Sequence, residues 1–178
     1  MLLDLLLDLS RLESGRLELS PVRCDLSALV RGLAEVVELT SNRHRPRLNG
    51  PARLEGVWDA QRIEQVLRNL LANAVKCSPD GGELGVSLEE GPSEVVVRVR
   101  DQGIGLAAEE CTRIFDRFYR STAVRRLQGA GLGLYICQAI GAAHGERIWA
   151  ESDGLGRGST FCFVLPHRRP SGEALPRR

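Results

Sequence analysis

The 178-residue chain, 43% hydrophobic, is long enough for one ordinary domain with a real core plus a short appendage. Its 24 Lys and Arg nearly cancel 23 Asp and Glu, which excludes any global electrostatic argument for nucleic acid or an acidic membrane surface; an anion site has to be local. Cys24, Cys77, Cys111, Cys137 and Cys162 are odd in number and widely spaced, with neither a C-x-x-C pair nor nearby histidines, so reduced thiols in a cytoplasmic protein are expected rather than disulfides or zinc.

From Leu2 to Leu12 leucines recur every three or four residues, predicting a helix with a broad apolar face that ends near Ser14-Gly15. Asp4 and Asp8 interrupt its apolar start, and no basic leader precedes it. Neither a signal peptide nor a membrane span is expected here. Its leucine density suits the tail of a helical bundle better than a helix packed on the domain behind it. Arg16 to Cys24, with Pro21, reads as a linker holding at most an edge strand. Asp25 then caps a helix whose apolar positions are Leu26, Leu29, Val30, Leu33, Val36 and Val37.

Arg47 to Trp58, broken at Gly50-Pro51 and Gly56, predicts two short strands, and Asp59 caps the next helix. Ser78 to Gly82 turns the chain into a hairpin, Glu83 to Glu89 and Glu94 to Asp101, around Gly91-Pro92. A helix is expected over Ala107 to Tyr119, an irregular loop over Arg120 to Gln128, and a helix over Gly131 to His144. Strands Arg147 to Glu151 and Thr160 to Leu165 close the domain, and a polar tail from His167 to Arg178 is expected to be disordered. The grouping predicts an α+β class protein, a two-layer sandwich with a mixed sheet covered by helices on one face.

The helix from Arg62 to Lys76 has two faces. Ile63, Val66, Leu67, Leu70, Leu71 and Ala74 form an apolar face, bordered by a polar stripe of Gln65, Asn69, Asn73 and Lys76. Asparagine is a mediocre helix former, so two a turn apart need a reason. Hydrogen bonds to a neighbouring loop are one. Ligation of a hard cation by the amide oxygens, with Lys76 meeting a phosphate, is the other. Asp101-Gln102-Gly103-Ile104-Gly105 follows a strand directly, placing a carboxylate at the strand end and backbone that a ligand can approach; a buried Asp there can accept from an exocyclic amine. Gly129-Ala130-Gly131-Leu132-Gly133-Leu134 opens a helix whose first amides can hold phosphate oxygens, but it is neither a P-loop nor a dinucleotide fingerprint. Each of these glycine stretches is a weak signal alone.

In this order and spacing, the Asn helix, Asp101-x-Gly103-x-Gly105, Phe115-Asp116-Arg117-Phe118-Tyr119 and Gly129-x-Gly131-Leu132-Gly133-Leu134 resemble the four sequence boxes of the catalytic, ATP-binding domain of two-component sensor histidine kinases. The Phe-rich box distinguishes these kinases from their gyrase, Hsp90 and MutL relatives. The resemblance covers about Asp25 to Pro166, and Leu5 to Gly15 looks like the end of the second helix of the family's dimerisation and phosphoacceptor bundle. It implies the histidine kinase-type ATPase fold over 25–166, preceded by one bundle helix over 1–15 and a linker over 16–24. It also implies ATP and Mg²⁺ as cofactors, with Asn69, Asn73 and Lys76 as catalytic residues, Asn73 and Asn69 holding the metal and Lys76 approaching a phosphate. Asp101 reads the adenine amine, Gly103 and Gly105 shape its pocket, and Gly129, Gly131, Leu132 and Gly133 face the phosphates. Arg120 to Gln128 becomes a lid, which Phe115 and Phe118 support together with the bundle-docking surface.

The implied activity is transfer of the ATP γ-phosphoryl group to a histidine on the bundle, for relay to a response regulator aspartate. The implied partners are that bundle and the response regulator, with a homodimer at full length, no nucleic acid, a cytoplasmic location and room for an inner-membrane anchor in a longer parent. Readings of another class are a nucleotide-binding regulatory module and an anti-sigma-type serine kinase. Three positions depart from the family pattern: Cys77 replaces an aromatic beside the adenine, Ala130 replaces a Thr or Ser, and Glu146 replaces a glycine. No histidine followed by an acidic residue is present to act as acceptor, and His44, His144 and His167 read as ordinary surface or helix-end residues.

Overall fold

The computed structural model describes residues 18–121, 130–145 and 147–167. The expected bundle helix, lid residues 122–128, Gly129, Glu146 and the tail beyond His167 lie outside the described residues. The elements run β1 (Val22–Asp25), α1 (Leu26–Thr40), β2 (His44–Asn49), β3 (Glu55–Trp58), α2 (Ala60–Cys77), β4 (Gly82–Glu90), β5 (Glu94–Asp101), α3 (Glu110–Arg113), α4 (Gly133–Ala143), β6 (Ile148–Glu151) and β7 (Ser159–Pro166). Five strands form a mixed sheet in the order β2-β4-β5-β7-β6, with β2 parallel to β4 and the other pairs antiparallel; β1 and β3 form a separate two-stranded ribbon.

Strand alternation and register decide which face is dry. Val95, Val97 and Val99 of β5 stand opposite Leu165, Phe163 and Phe161 of β7, and Val86 and Leu88 of β4 extend these rows. All are buried, and α1, α2 and α4 cover this face through Val30, Leu33, Leu67, Leu70, Ile136 and Ile140. The opposite face carries Ser87, Glu89, Arg98, Arg100 and Glu151, with Glu89 paired to Arg98. The α+β class with helices on one face is therefore the observed architecture.

The apolar stripe of α2 behaves as its spacing predicts: Ile63, Val66, Leu67, Leu70, Leu71 and Ala74 are all buried. Each large aliphatic side chain taken fully out of water contributes about 1.5–3 kcal/mol, so this face anchors α2 and fixes its rotation. Asp25 and Asp59 are N-caps as expected. Asp25 Oδ1 accepts from the amides of Ser27 and Ala28, and Asp59 Oδ1 accepts from the amide of Arg62 at 3.0 Å while its Oδ2 accepts from that of Ser20 at 2.9 Å.

The edge strand allowed for in the linker is β1, whose residues Val22 to Asp25 pair with β3. Three expectations change. Strand β2 begins at His44 and runs through Pro46, which an edge strand tolerates; Gly56 lies inside β3 under the ring of Trp58 instead of breaking it. The predicted helix Ala107 to Tyr119 shrinks to Glu110–Arg113. The amide of Phe118 donates to the Gly131 carbonyl at 3.0 Å and Phe118 takes φ 61°, so tertiary pairing draws the chain out of helical geometry. His44 is buried rather than at the surface, while His144 is the helix-end residue expected, at the C-cap of α4, and is buried as well. His44 Nε2 lies 2.9 Å from the Ser78 carbonyl and its Nδ1 2.6 Å from Ser41 Oγ, His144 Nδ1 lies 2.9 Å from the Ile140 carbonyl, and His167 stacks on Trp58 with ring centroids 6.5 Å apart.

Candidate nucleotide-binding site

Burial of the apolar stripe turns the polar stripe of α2 toward a cavity of about 270 Å³ between α2, the loop after β5 and the start of α4. Asn69, Asn73, Lys76 and Cys77 form one wall, Ile104, Gly105 and Leu106 a second, and Ala130 to Leu134 a third. Ser159 and Phe161 of β7 and the segment Tyr119 to Ser121 complete it. The structure thus brings Asn69, Asn73, Lys76, Gly105, Gly131, Leu132 and Gly133 together around one space. Gly129 lies outside the described residues.

Asp101 and Gly103 lie behind the second wall. Asp101 is only 1% exposed. Its Oδ1 accepts from the Gly103 amide at 2.8 Å, whereas Oδ2 has no partner among the described residues. Burial pushes the carboxyl above the usual carboxylate range, and the backbone amides of Gly103 and Ser159 oppose that rise. A buried acceptor left over in this way is the group an exocyclic amine can satisfy. Gly103 is required by a close approach, since a Cβ there would fall 2.0 Å from the Cys77 carbonyl oxygen. Through this contact and the bond from the Ile104 amide to the same carbonyl, 2.9 Å, the loop is seated on the end of α2.

Across the cavity, Asn69 Nδ2 donates to the Gly133 carbonyl at 3.4 Å, so the first asparagine reaches the opening of α4. Leu132, the N-cap of α4, supplies no side-chain cap bond; an anion there meets first-turn amides that no cap competes for. Gly131, at φ 69°, passes close beneath Phe118 and Tyr119, where a Cβ would fall 2.8 Å from the Tyr119 carbonyl oxygen. Phe115 is buried edge-on against Phe161, 6.4 Å between ring centroids, while Phe118 is 59% exposed with the Arg117 guanidinium over its ring.

Among the described residues no cluster of three or more His, Cys, Asp or Glu could hold a metal ion. A divalent cation here would have to be hard, taking amide oxygens from Asn69 and Asn73 and the rest of its shell from phosphate and water, a donor set that fits Mg²⁺ and not zinc. All five cysteines are free. Burial pushes the Cys77 thiol up to about 11 and the fully buried Cys137 up to about 12, so neither is a thiolate near neutrality.

Sequence reasoning missed Ile104, Leu106, Ile114, Ser159 and Phe161 as lining residues. Ser159 and Phe161 could have been found from the pairing of β7 with β5, which sets Ser159 opposite Asp101, but that register is a tertiary fact.

Residues 58–169 match the family of histidine kinase-, DNA gyrase B-, and HSP90-like ATPases. Sensor histidine kinase WalK of Bacillus subtilis (strain 168) is 41% identical over 114 residues, 62% of this chain and 18% of that protein. Sensor protein SrrB of Staphylococcus aureus (strain NCTC 8325 / PS 47) is 42% identical over 114 residues, 62% of this chain and 19% of that protein. The chain thus spans about a fifth of the length of these curated relatives. Among solved structures, the mycobacterial sensor histidine kinase MprB superposes with TM-score 0.75 at 26% identity over 85% of this chain and 100% of that one. Full-length ShkA in complex with AMPPNP gives 0.78 at 28% identity, over 95% of this chain and 36% of that one. The chain belongs to the histidine kinase-, DNA gyrase B- and HSP90-like ATPase family, and its matched stretch corresponds to the ATP-binding catalytic domain of sensor histidine kinases.

Proposed function

We propose that this chain supplies the phosphoryl donor of a two-component sensor histidine kinase: it binds Mg–ATP in the cavity between α2 and α4 and presents the γ-phosphoryl group to a histidine on a helical bundle, for relay to a response regulator aspartate. The observation that carries this reading is the convergence of the Asn stripe, the Asp101 loop and the glycine-bearing start of α4 on one cavity. Asp101 accepts from the adenine amine through the oxygen that Gly103 leaves over. Lys76 and the first amides of α4 meet the phosphates, and the amide oxygens of Asn69 and Asn73 hold the metal. Mg²⁺, when bound, neutralises phosphate charge during transfer. The contribution of the chain's own residues is positioning and electrostatic, since phosphoryl transfer leaves the protein little covalent chemistry to do.

The resemblance to sensor kinases extends this to a docking role for the exposed ring of Phe118 toward the bundle, with homodimerisation and an inner-membrane anchor as properties of the full-length protein. No helix among the described residues is long and apolar enough to cross a membrane. The test is transfer from γ-labelled ATP to a supplied phosphoacceptor bundle. An acid-labile, base-stable product is expected, and Asn73→Ala should abolish it together with the Mg²⁺ dependence of ATP binding. Unchanged transfer by that variant refutes the site assignment, and ATP binding without transfer to any bundle refutes the kinase reading.

A further inference from the structure

We propose that Ser152 is a positioning residue for base recognition, holding the Gly103–Leu106 segment in the conformation that completes the adenine side of the cavity. This inference rests on the reading that Asp101 selects adenine. Ser152 heads the turn between β6 and β7, Ser152 to Gly158, and no side chain of that turn lines the cavity. Its hydroxyl oxygen accepts from the Leu106 amide at 3.0 Å and from the Gly154 amide at 3.3 Å, and its proton goes to the Gly158 carbonyl at 2.7 Å. One donor and two acceptor sites are all that a serine hydroxyl has, so each is used.

The rest of the seam is backbone on backbone. The Gly156 amide donates to the Ile104 carbonyl at 2.7 Å and the Gly158 amide to the Gly103 carbonyl at 3.1 Å. Gly105, at φ 67°, leaves no room for a Cβ, which would fall 2.1 Å from the Gly154 carbonyl oxygen; at Gly158, φ 73°, a Cβ would fall 2.1 Å from the Asp101 carbonyl oxygen. Two segments pressed together this closely need a short side chain that satisfies both, and Ser152 supplies it. Without the hydroxyl, the Leu106 amide loses its partner directly beside two cavity-lining residues, Gly105 and Leu106. The segment that carries the Gly103 amide, and with it the orientation of Asp101, is then tied down by fewer bonds.

The experiment compares ATP and GTP affinity for the wild type, Ser152→Ala, Ser152→Thr and Asn73→Ala. Ser152→Ala is expected to weaken ATP binding about tenfold, the size of one net hydrogen bond, and to narrow the ATP-to-GTP preference. Ser152→Thr keeps the hydroxyl and should keep the preference. Asn73→Ala should weaken both nucleotides and leave their ratio unchanged. A wild type that binds GTP as well as ATP overturns the adenine reading itself. A discriminating wild type whose Ser152→Ala variant keeps the full ratio overturns the positioning role alone. Should Ser152→Ala fail to fold, amide hydrogen exchange of the nucleotide-free wild type decides: the Leu106 amide should be protected, and exchange at the rate of an open loop refutes the proposal.

Discussion

Replacing Asp101 with asparagine separates the cost of a buried carboxylate from its use. The side chain is 1% exposed, with Oδ1 bound to the Gly103 amide at 2.8 Å and Oδ2 buried without a hydrogen-bond partner among the described residues. Asparagine has nearly the same shape but only one oxygen. With that oxygen on the Gly103 amide, its NH₂ would face an adenine amine bound as proposed, donor against donor. Turned round, the NH₂ faces the Gly103 amide instead, so one bond is lost in either orientation. A hydrogen bond to a charged acceptor is worth about 1.5–3 kcal/mol, which corresponds to roughly a 10- to 150-fold loss of ATP affinity. Stability should move the other way. Burial raises the Asp101 carboxyl in the folded state, so its contribution to stability is present below the unfolded value of about 3.9 and is lost as pH rises through the folded value. Burial disfavours the charged form of Asp101 in the nucleotide-free fold, and asparagine has no charged form to disfavour. Calorimetric titration with Mg–ATP, together with thermal unfolding of the nucleotide-free protein at pH 7, reads both quantities. We expect affinity to fall while the unfolding temperature holds or rises. Unchanged affinity, or a fall in apo stability that matches the loss of binding, would refute the reasoning.

Cys77 offers a chemical probe of the same cavity. Because its thiol is pushed up to about 11, alkylation by a small reagent should be slow at neutral pH. It should accelerate about tenfold per pH unit until that value is approached. Saturating Mg–ATP should suppress it, as followed by the mass of the peptide carrying Cys77; equal rates with and without nucleotide would place the thiol outside the site. Asp59 tests the mounting of α2: Asp59→Ala removes the acceptor of the Arg62 and Ser20 amides and should cost about 1–2 kcal/mol in denaturant unfolding, with Asp59→Asn retaining most of it.

The two faces of α2 were readable in advance because helical period alone sorts Ile63, Val66, Leu67 and Leu70 from Asn69, Asn73 and Lys76. Asp25 and Asp59 were readable as caps because capping depends on residues within three positions. The hairpin of β4 and β5 followed from its turn and its β-branched run in the same local way. The failures share the opposite cause. Ala107 to Tyr119 has a helical composition, yet the pairing of Phe118 with Gly131 overrides it. His44 reads as polar loop until β2 is laid beside β4, which carries its ring to Ser78 at the end of α2.

What the sequence determined by itself is the donor chemistry of the site: two amide side chains and an ammonium on one helical stripe, a carboxylate at a strand end, and glycines at a helix start. These are properties of residue type and short-range spacing. Which of their atoms remain available was decided only by the tertiary structure. Asp101 Oδ1 takes the Gly103 amide while Oδ2 has no hydrogen-bond partner among the described residues, and Gly103 must be glycine because the Cys77 carbonyl lies against it. The Asp101 loop holds its shape because the β6–β7 turn, about fifty residues further along the chain, is pressed onto it through Ser152. Contacts of that range depend on register and packing, which no local pattern encodes.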